Sequence, residues 1–262
     1  AWAALTAHRR IATRQILDRH DEVLGLPGAH QSEKRRRASA ATRRVFANLG
    51  RWAGELASYS ARPDRILERV DLPPRSREAL DRAASRGRGV IWLAAHMGNW
   101  ELMAWAIARA GYPLSAVGRR SYDPGITDLV DSLRRSAGVE TMYRDDPDLP
   151  SRMLRALGSG RIVGMLVDQS TSLPSIDSPF LGRPAPTAVA PIRIALRHSG
   201  AVVHGFCHED GRGRLVVEVE PIDFPQGCGV DEAVAAVNDA VGRAIRSFPD
   251  HWVWMHDRWK PR

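Results

Sequence analysis

The sequence predicts an α/β fold in which a central mixed, mostly parallel sheet is flanked by helices and preceded by a helical N-terminal portion. Three observations lead there. Short β-rich apolar runs alternate with amphipathic helical patterns from residue 87 onward. The first 62 residues instead carry apolar positions at helical spacing, Ile11, Leu17 and Leu24, then Val45, Leu49, Trp52 and Leu56. No internal repeat interrupts this order. The boundary divides the chain into a basic helical portion, residues 1–86, packing on an α/β core, residues 87–262, as one integrated domain.

Taken in order, two helices in residues 1–62 are separated by the turn LGLPGAH. Arginine is concentrated here, and the run EKRRR reads either as a solvated helix face or as a contact with an anionic surface. Pro63, Pro73 and Pro74 punctuate the chain before a short helix at 75–86. GVIWLAA is the first strand, ELMAWAIARAG a helix ended by Gly111, and LSAVG the second strand. DPGITDLVDSLRRSAG opens a helix with Asp-Pro and closes it with Gly138, and VETMY follows as a strand. Next come helix LPSRMLRALGSG, strand RIVGMLVD, a loop through 169–186, helix TAVAPIRIALRHSG and strand AVVHGFCHED. GRG joins that strand to LVVEVEP as a hairpin. A last helix at 230–247 precedes the aromatic tail FPDHWVWMHDRW.

The chain has 262 residues, 44% of them hydrophobic, which suits a globular protein with a real core. Its net charge of +8 comes mostly from arginine, so an acidic partner is expected: nucleic acid, anionic lipid or an acidic carrier protein. Two cysteines are too few for a disulfide framework and lack the spacing of a metal site. His204 and His208 stand on one strand with no third ligand, so no metal centre is expected. No apolar run reaches the ~18–20 residues that cross a bilayer. The chain begins at Ala1 rather than Met, and an anchoring segment upstream is an expectation only.

The segment AAHMGNWELMAWA carries the chemistry. It places His96 at the carboxyl end of a buried strand and Glu101 in the first turn of the next helix, where open α/β sheets put their sites. Gly98 permits a tight turn and Asn99 is a good N-cap, so the spacing folds back and is expected to bring the Glu101 carboxylate to His96. A carboxylate on one imidazole nitrogen fixes the tautomer and supports the cation formed when the other nitrogen takes a proton. The competing reading leaves His96 as a strand-end residue and Glu101 as a helix-dipole partner.

HMGNWE resembles the HxxxxE signature of the bacterial lipid A late acyltransferases, the lauroyl and myristoyl transferases. It also resembles that of phosphatidylinositol mannoside acyltransferase, and all of these are similar to the wider glycerolipid acyltransferase group with its HxxxxD signature. GRRSYDPGITDLVDSLRR, GRIVGMLVDQS, PFLGRPAPTAVAPIRIALRHSGA and FPDHWVWMHDRWKPR extend the likeness over about residues 90–262. The resemblance implies an acyl thioester donor, on acyl carrier protein or coenzyme A, and a lipid or glycolipid hydroxyl as acceptor. His96 would be the general base and Glu101 its orienting partner. Arg119 or Arg134 would supply positive charge near the acceptor. Asp168, at a strand end on the same sheet edge, takes part in the site, holds an arginine, or caps a helix.

Gly182, Arg183, Pro184 and Thr187 read as a loop and helix start able to present backbone donors to an anion. Trp252, Trp254 and Trp259, with Arg258 and Lys260, read either as headgroup-interface residues or as core. His256 reads as structural. GxSxG is absent and no Ser or Cys is paired with His96, although Ser170 follows Asp168 closely, so direct transfer without an acyl-enzyme or cofactor is expected. The implied location is the cytoplasmic face of the inner membrane, peripheral or anchored from upstream. The rival readings are a catalytically silent lipid-binding relative and a basic nucleic-acid-binding protein. Against the latter stands the lack of any recognised nucleic-acid motif.

Overall fold

The computed structural model describes residues 2–170, 173–198 and 200–259. Three helices open the chain: α1 (Trp2–Asp18), α2 (His20–Leu24) and α3 (Gln31–Ser60). A short 3₁₀ turn (Pro63–Arg65) and α4 (Ile66–Arg69) lead into β1 (Val70–Asp71), a two-residue strand absent from the sequence reading, and then α5 (Pro74–Ala84). The alternation that follows is the expected one: β2 (Val90–Ala94), α6 (Trp100–Arg109), β3 (Leu114–Gly118), α7 (Pro124–Ser136), β4 (Val139–Tyr143), α8 (Leu149–Gly158) and β5 (Ile162–Leu166). A hairpin, β6 (Ser175–Phe180) and β7 (Arg183–Ala188), precedes α9 (Val189–Arg197), β8 (Ala201–Glu209), β9 (Leu215–Pro221) and α10 (Val230–Ser247).

Seven strands form one sheet in the order β1-β9-β8-β2-β5-β3-β4, parallel throughout except where β8 and β9 meet as an antiparallel hairpin. β2 lies at its centre and is buried along its whole length. Its side chains alternate as a pleated strand requires. Val90, Trp92 and Ala94 join the core beneath α5 and α6, and Ile91 and Leu93 join the core shared with α8, α9 and α10. Trp92 packs against the bare backbone of Gly205 on the neighbouring strand, where an added Cβ would stand 2.2 Å from its ring.

A third core binds the N-terminal helices to the C-terminal tail: Ile16, Ala41 and Val45 pack with Phe180, Trp252 and Trp254. Trp252, Trp254 and Trp259 are 1%, 0% and 8% exposed. Of the two readings of these tryptophans, core packing is the one the structure bears out, and Lys260 lies outside the described residues. No helix among the described residues is long and apolar enough to cross a membrane.

The loop expected at 169–186 is also corrected. Its second half and the residues after it pair as the antiparallel ladder β6–β7, from Ser175↔Ala188 to Phe180↔Arg183. The two turn residues Leu181 and Gly182 both take positive φ, 47° and 73°, the conformation that matches the twist of a two-residue hairpin. Pro179, Pro184 and Pro186 hid this ladder, because proline reads as a strand breaker. Here it is tolerated on strands that pair with a single neighbour.

Candidate active site

The parallel register of β2 and β5 builds the centre of the site. Ala94 pairs with Leu166, and the ladder ends with the Val167 N–H donating to the Ala94 carbonyl (2.9 Å). Two residues beyond that pair on each strand stand His96 and Asp168, so their side chains meet at the carboxyl edge. The His96 Nδ1 hydrogen donates to Asp168 Oδ1 at 2.8 Å, and the His96 backbone N–H donates to Oδ2 at 3.0 Å. Trp252, from the C-terminal tail, gives its indole N–H to Oδ2 at 2.7 Å.

Asp168 is thus buried, 3% exposed, with three donors. Burial raises its pKa, but the opposing His96 charge and these hydrogen bonds outweigh burial and hold the pKa at about 2. Its folded value lies below the ~3.9 of an unfolded aspartate. Its stabilisation is therefore complete above about pH 4 and is lost as pH falls towards 2. Urea unfolding between about pH 5 and pH 3 should show the stability difference between the wild type and Asp168→Asn shrinking as acid is added. A gap that stays constant over this range would show that folding leaves the Asp168 pKa unshifted, and a gap that moves in the wild type's favour as acid is added would show that the buried carboxyl is held protonated.

The expected His96–Glu101 pair is not formed, and this is the principal correction. The Glu101 carboxylate is held bidentately by Arg134, Nε to Oε2 at 2.9 Å and Nη2 to Oε1 at 2.5 Å. Burial acts against the Arg134 charge, but Glu101 offsets it and raises the guanidinium pKa. The two carboxylates have exchanged the places the sequence suggested: Asp168 orients the imidazole and Glu101 holds the arginine.

Local structure explains the exchange. Gly98 adopts φ +62°, and a Cβ there would lie 2.1 Å from the Cys207 carbonyl oxygen, so the turn passes where only glycine fits. Asn99 then caps α6, its side chain accepting the Leu102 N–H. Trp100, not Glu101, comes next to the imidazole, edge to face at 5.1 Å. The tail completes the turn: Gly98 N–H donates to the His251 carbonyl and Val253 N–H to the His96 carbonyl.

His96, Glu101 and Arg134 all line one cavity of about 370 Å³ between the sheet and helices α6 and α7. Its apolar wall comes from Trp92, Trp100, Met103, Ile107, Leu114, Val117, Val130 and Leu166; Arg119, Arg120, Tyr143 and Gln169 add polar groups. Nδ1 is engaged by Asp168, which does not line the cavity, so Nε2 is the imidazole nitrogen available to it. The Gln169 amide stands 3.4 Å from Nε2.

The other titratable groups nearby are poor bases. Tyr143 is pushed up to about 12 by burial and by its hydrogen bond to Asp131. His256 has its pKa lowered by burial, and its Nε2 accepts the Ser170 backbone N–H at 3.1 Å, the structural role expected of it. His204 is buried with its pKa lowered, and its Nδ1 meets the Leu93 carbonyl.

The remaining sequence-derived residues divide clearly. Arg119 lines the cavity, donates to the Tyr122 hydroxyl at 3.0 Å, and has no carboxylate ion-pair partner among the described residues. Asn99 lies outside the cavity, engaged by its cap and by donation to the Trp52 carbonyl and Glu55. Arg183 and Thr187 are corrected: both sit on β7 rather than at a helix start, and neither lines the cavity. Arg183 borders a separate polar cleft with Arg14 and Arg19. Thr187 is buried between Asn238 and Arg258. Sequence reasoning missed Trp252 as the anchor of Asp168, and Gln169 as the neighbour of Nε2. Only the position of Gln169 beside Asp168 hinted at the latter.

The profile of the bacterial lipid A biosynthesis acyltransferases matches residues 24–261, and the chain belongs to that family. Phosphatidylinositol mannoside acyltransferase of Mycolicibacterium smegmatis (strain ATCC 700084 / mc(2)155) is 22% identical to it over 241 residues, 90% of this chain and 76% of that protein.

Proposed function

We propose that this acyltransferase moves a fatty acyl group from an acyl thioester to a hydroxyl of a lipid or glycolipid, with His96 as general base and Asp168 as the group that orients it. The observation that carries the reading is the His96–Asp168 pair at the wall of a largely apolar cavity. With the Nδ1 proton held by Asp168, Nε2 takes the proton of the acceptor hydroxyl, whose oxygen attacks the thioester carbonyl. Asp168 stabilises the imidazolium that results. Collapse of the tetrahedral intermediate breaks the C–S bond, and the departing thiolate takes the proton back from His96.

A thioester already carries a good leaving group, so this reaction calls on no metal or redox cofactor. The apolar wall suits an acyl chain, and Arg119, which has no carboxylate ion pair among the described residues, suits a phosphate on either substrate. Glu101 and Arg134 shape the wall. The donor is carried by acyl carrier protein or coenzyme A, both strongly anionic and complementary to a chain of net charge +8. The acceptor class extends from lipid A precursors to other glycolipids, met peripherally at the cytoplasmic face of the inner membrane.

The test is direct. Incubation with acyl carrier protein and coenzyme A thioesters and a panel of lipid acceptors, analysed by mass spectrometry, should give O-acylated lipid and free thiol in equal amounts. Thiol release without acylated lipid would mark a thioesterase, and the absence of both over the whole panel would count against the proposal.

A further inference from the structure

The cavity opens beside an apolar patch that the core does not use. Seven large hydrophobic side chains among the described residues are markedly exposed, and three of them fall within eight residues: Tyr122 at 91%, Ile126 at 52% and Leu129 at 57%. Ile126 and Leu129 stand i, i+3 on the first turns of α7, so they are neighbours on its surface. α7 contributes no fully buried residue, yet Ile126 also lines the cavity. The patch is therefore the rim of the site, continuous with its apolar wall.

Among the described residues, the rim carries one cation that lines the cavity without an acidic partner. The Arg119 guanidinium lies over the Tyr122 ring at 4.6 Å and has no carboxylate ion pair among the described residues. Its neighbours are neutralised, Arg120 by Asp145 and Asp146 and Arg134 by Glu101. Of the acidic residues on this stretch, Asp123 caps α7 through the Gly125 N–H. Asp128 lies two residues from Ile126, roughly 200° around the helix and so on its far side.

We propose that this rim docks on a bilayer of anionic phospholipid, with Tyr122, Ile126 and Leu129 entering the acyl-chain boundary and Arg119 meeting phosphates. A tyrosine–arginine pair beside aliphatic side chains fits that interface, with its apolar body and charged surface. An acidic carrier protein would satisfy the arginine alone, whereas a bilayer takes up both the charge and the three apolar side chains. The inference rests on the acyl-transfer reading for its purpose: a lipid substrate would pass from bilayer to cavity along α7 without exposing its chains to water.

Vesicle co-sedimentation of the full chain tests it without any turnover. Vesicles of phosphatidylcholine mixed with phosphatidylglycerol should bind more protein than phosphatidylcholine alone, and added salt should weaken the excess. Tyr122→Ser/Leu129→Ser, which changes only exposed side chains outside the cavity lining, should lower partitioning by about tenfold or more. Leu154→Ser, on α8 and 71% exposed, is the control and should bind as the wild type does. Wild-type partitioning by the double variant, or an equal loss in the control, would overturn the proposal. So would a loss of carrier binding or of self-association with vesicle binding intact. With detergent-dispersed acceptor Leu129→Ser alone, which leaves Arg119 and its Tyr122 partner in place, should turn over normally. If no form of the protein turns over any substrate, the acyl-transfer reading fails while the docking result stands by itself.

Discussion

Replacing His96 with alanine should slow acyl transfer by about 10²- to 10⁴-fold, the usual contribution of a positioned general base, and Asp168→Asn should cost nearly as much. The second loss follows from the donors around Asp168. An asparagine keeps an oxygen for the His96 and Trp252 N–H groups at the Oδ2 position and turns its NH₂ towards Nδ1. Nδ1 then becomes an acceptor, the ring proton moves to Nε2, and the cavity faces a donor where the reaction needs a base. Because the two residues act as one unit, His96→Ala/Asp168→Asn should be no slower than His96→Ala alone. Single-turnover rates with a fixed thioester and acceptor measure all three variants. Losses that multiply in the double variant would show that Asp168 acts separately from the imidazole.

Much of the fold is legible in the sequence because its strands and helices differ in the period of their apolar residues. VIWLA, LSAVG and IVGML are short, β-rich and bounded by glycine or polar turns, and each became a parallel strand. What escaped was structure defined by partners rather than by period. β1 is two residues held by β9, and β6–β7 is a proline-rich ladder that only its tight turn and neighbours make regular.

The site shows the same division between near and distant relations in the chain. His96, Gly98 and Asn99 could be read locally, since turn, cap and strand end are set within six residues. The partner of His96 could not, because Asp168 is 72 residues away and arrives through the β2–β5 register. Knowing that RIVGMLVD pairs alongside VIWLAAH in parallel, with Ala94 opposite Leu166, would have placed His96 beside Asp168 directly. Closeness in sequence favoured Glu101 instead, and the helix start turned that side chain towards α7.

Glu101→Gln should accordingly behave as a break in the cavity wall rather than as a loss of the catalytic base's partner. It removes the charge that holds Arg134 through two hydrogen bonds, with both side chains mostly covered, 15% and 18% exposed. Stranding one member of a covered ion pair costs up to about 3 kcal/mol, a fall of several degrees in melting temperature for a domain of this size. The double replacement Glu101→Leu/Arg134→Met should recover part of that stability, since no charge is then left uncompensated. Turnover should drop through the altered cavity, with KM rising, while the pH–rate profile keeps its wild-type shape because Asp168 still fixes the His96 tautomer. Asp168→Asn should do the reverse, changing kcat and the pH profile. A Glu101→Gln protein of wild-type stability that lost turnover as completely as Asp168→Asn would return Glu101 to the chemistry and require that its pair with Arg134 open during the reaction.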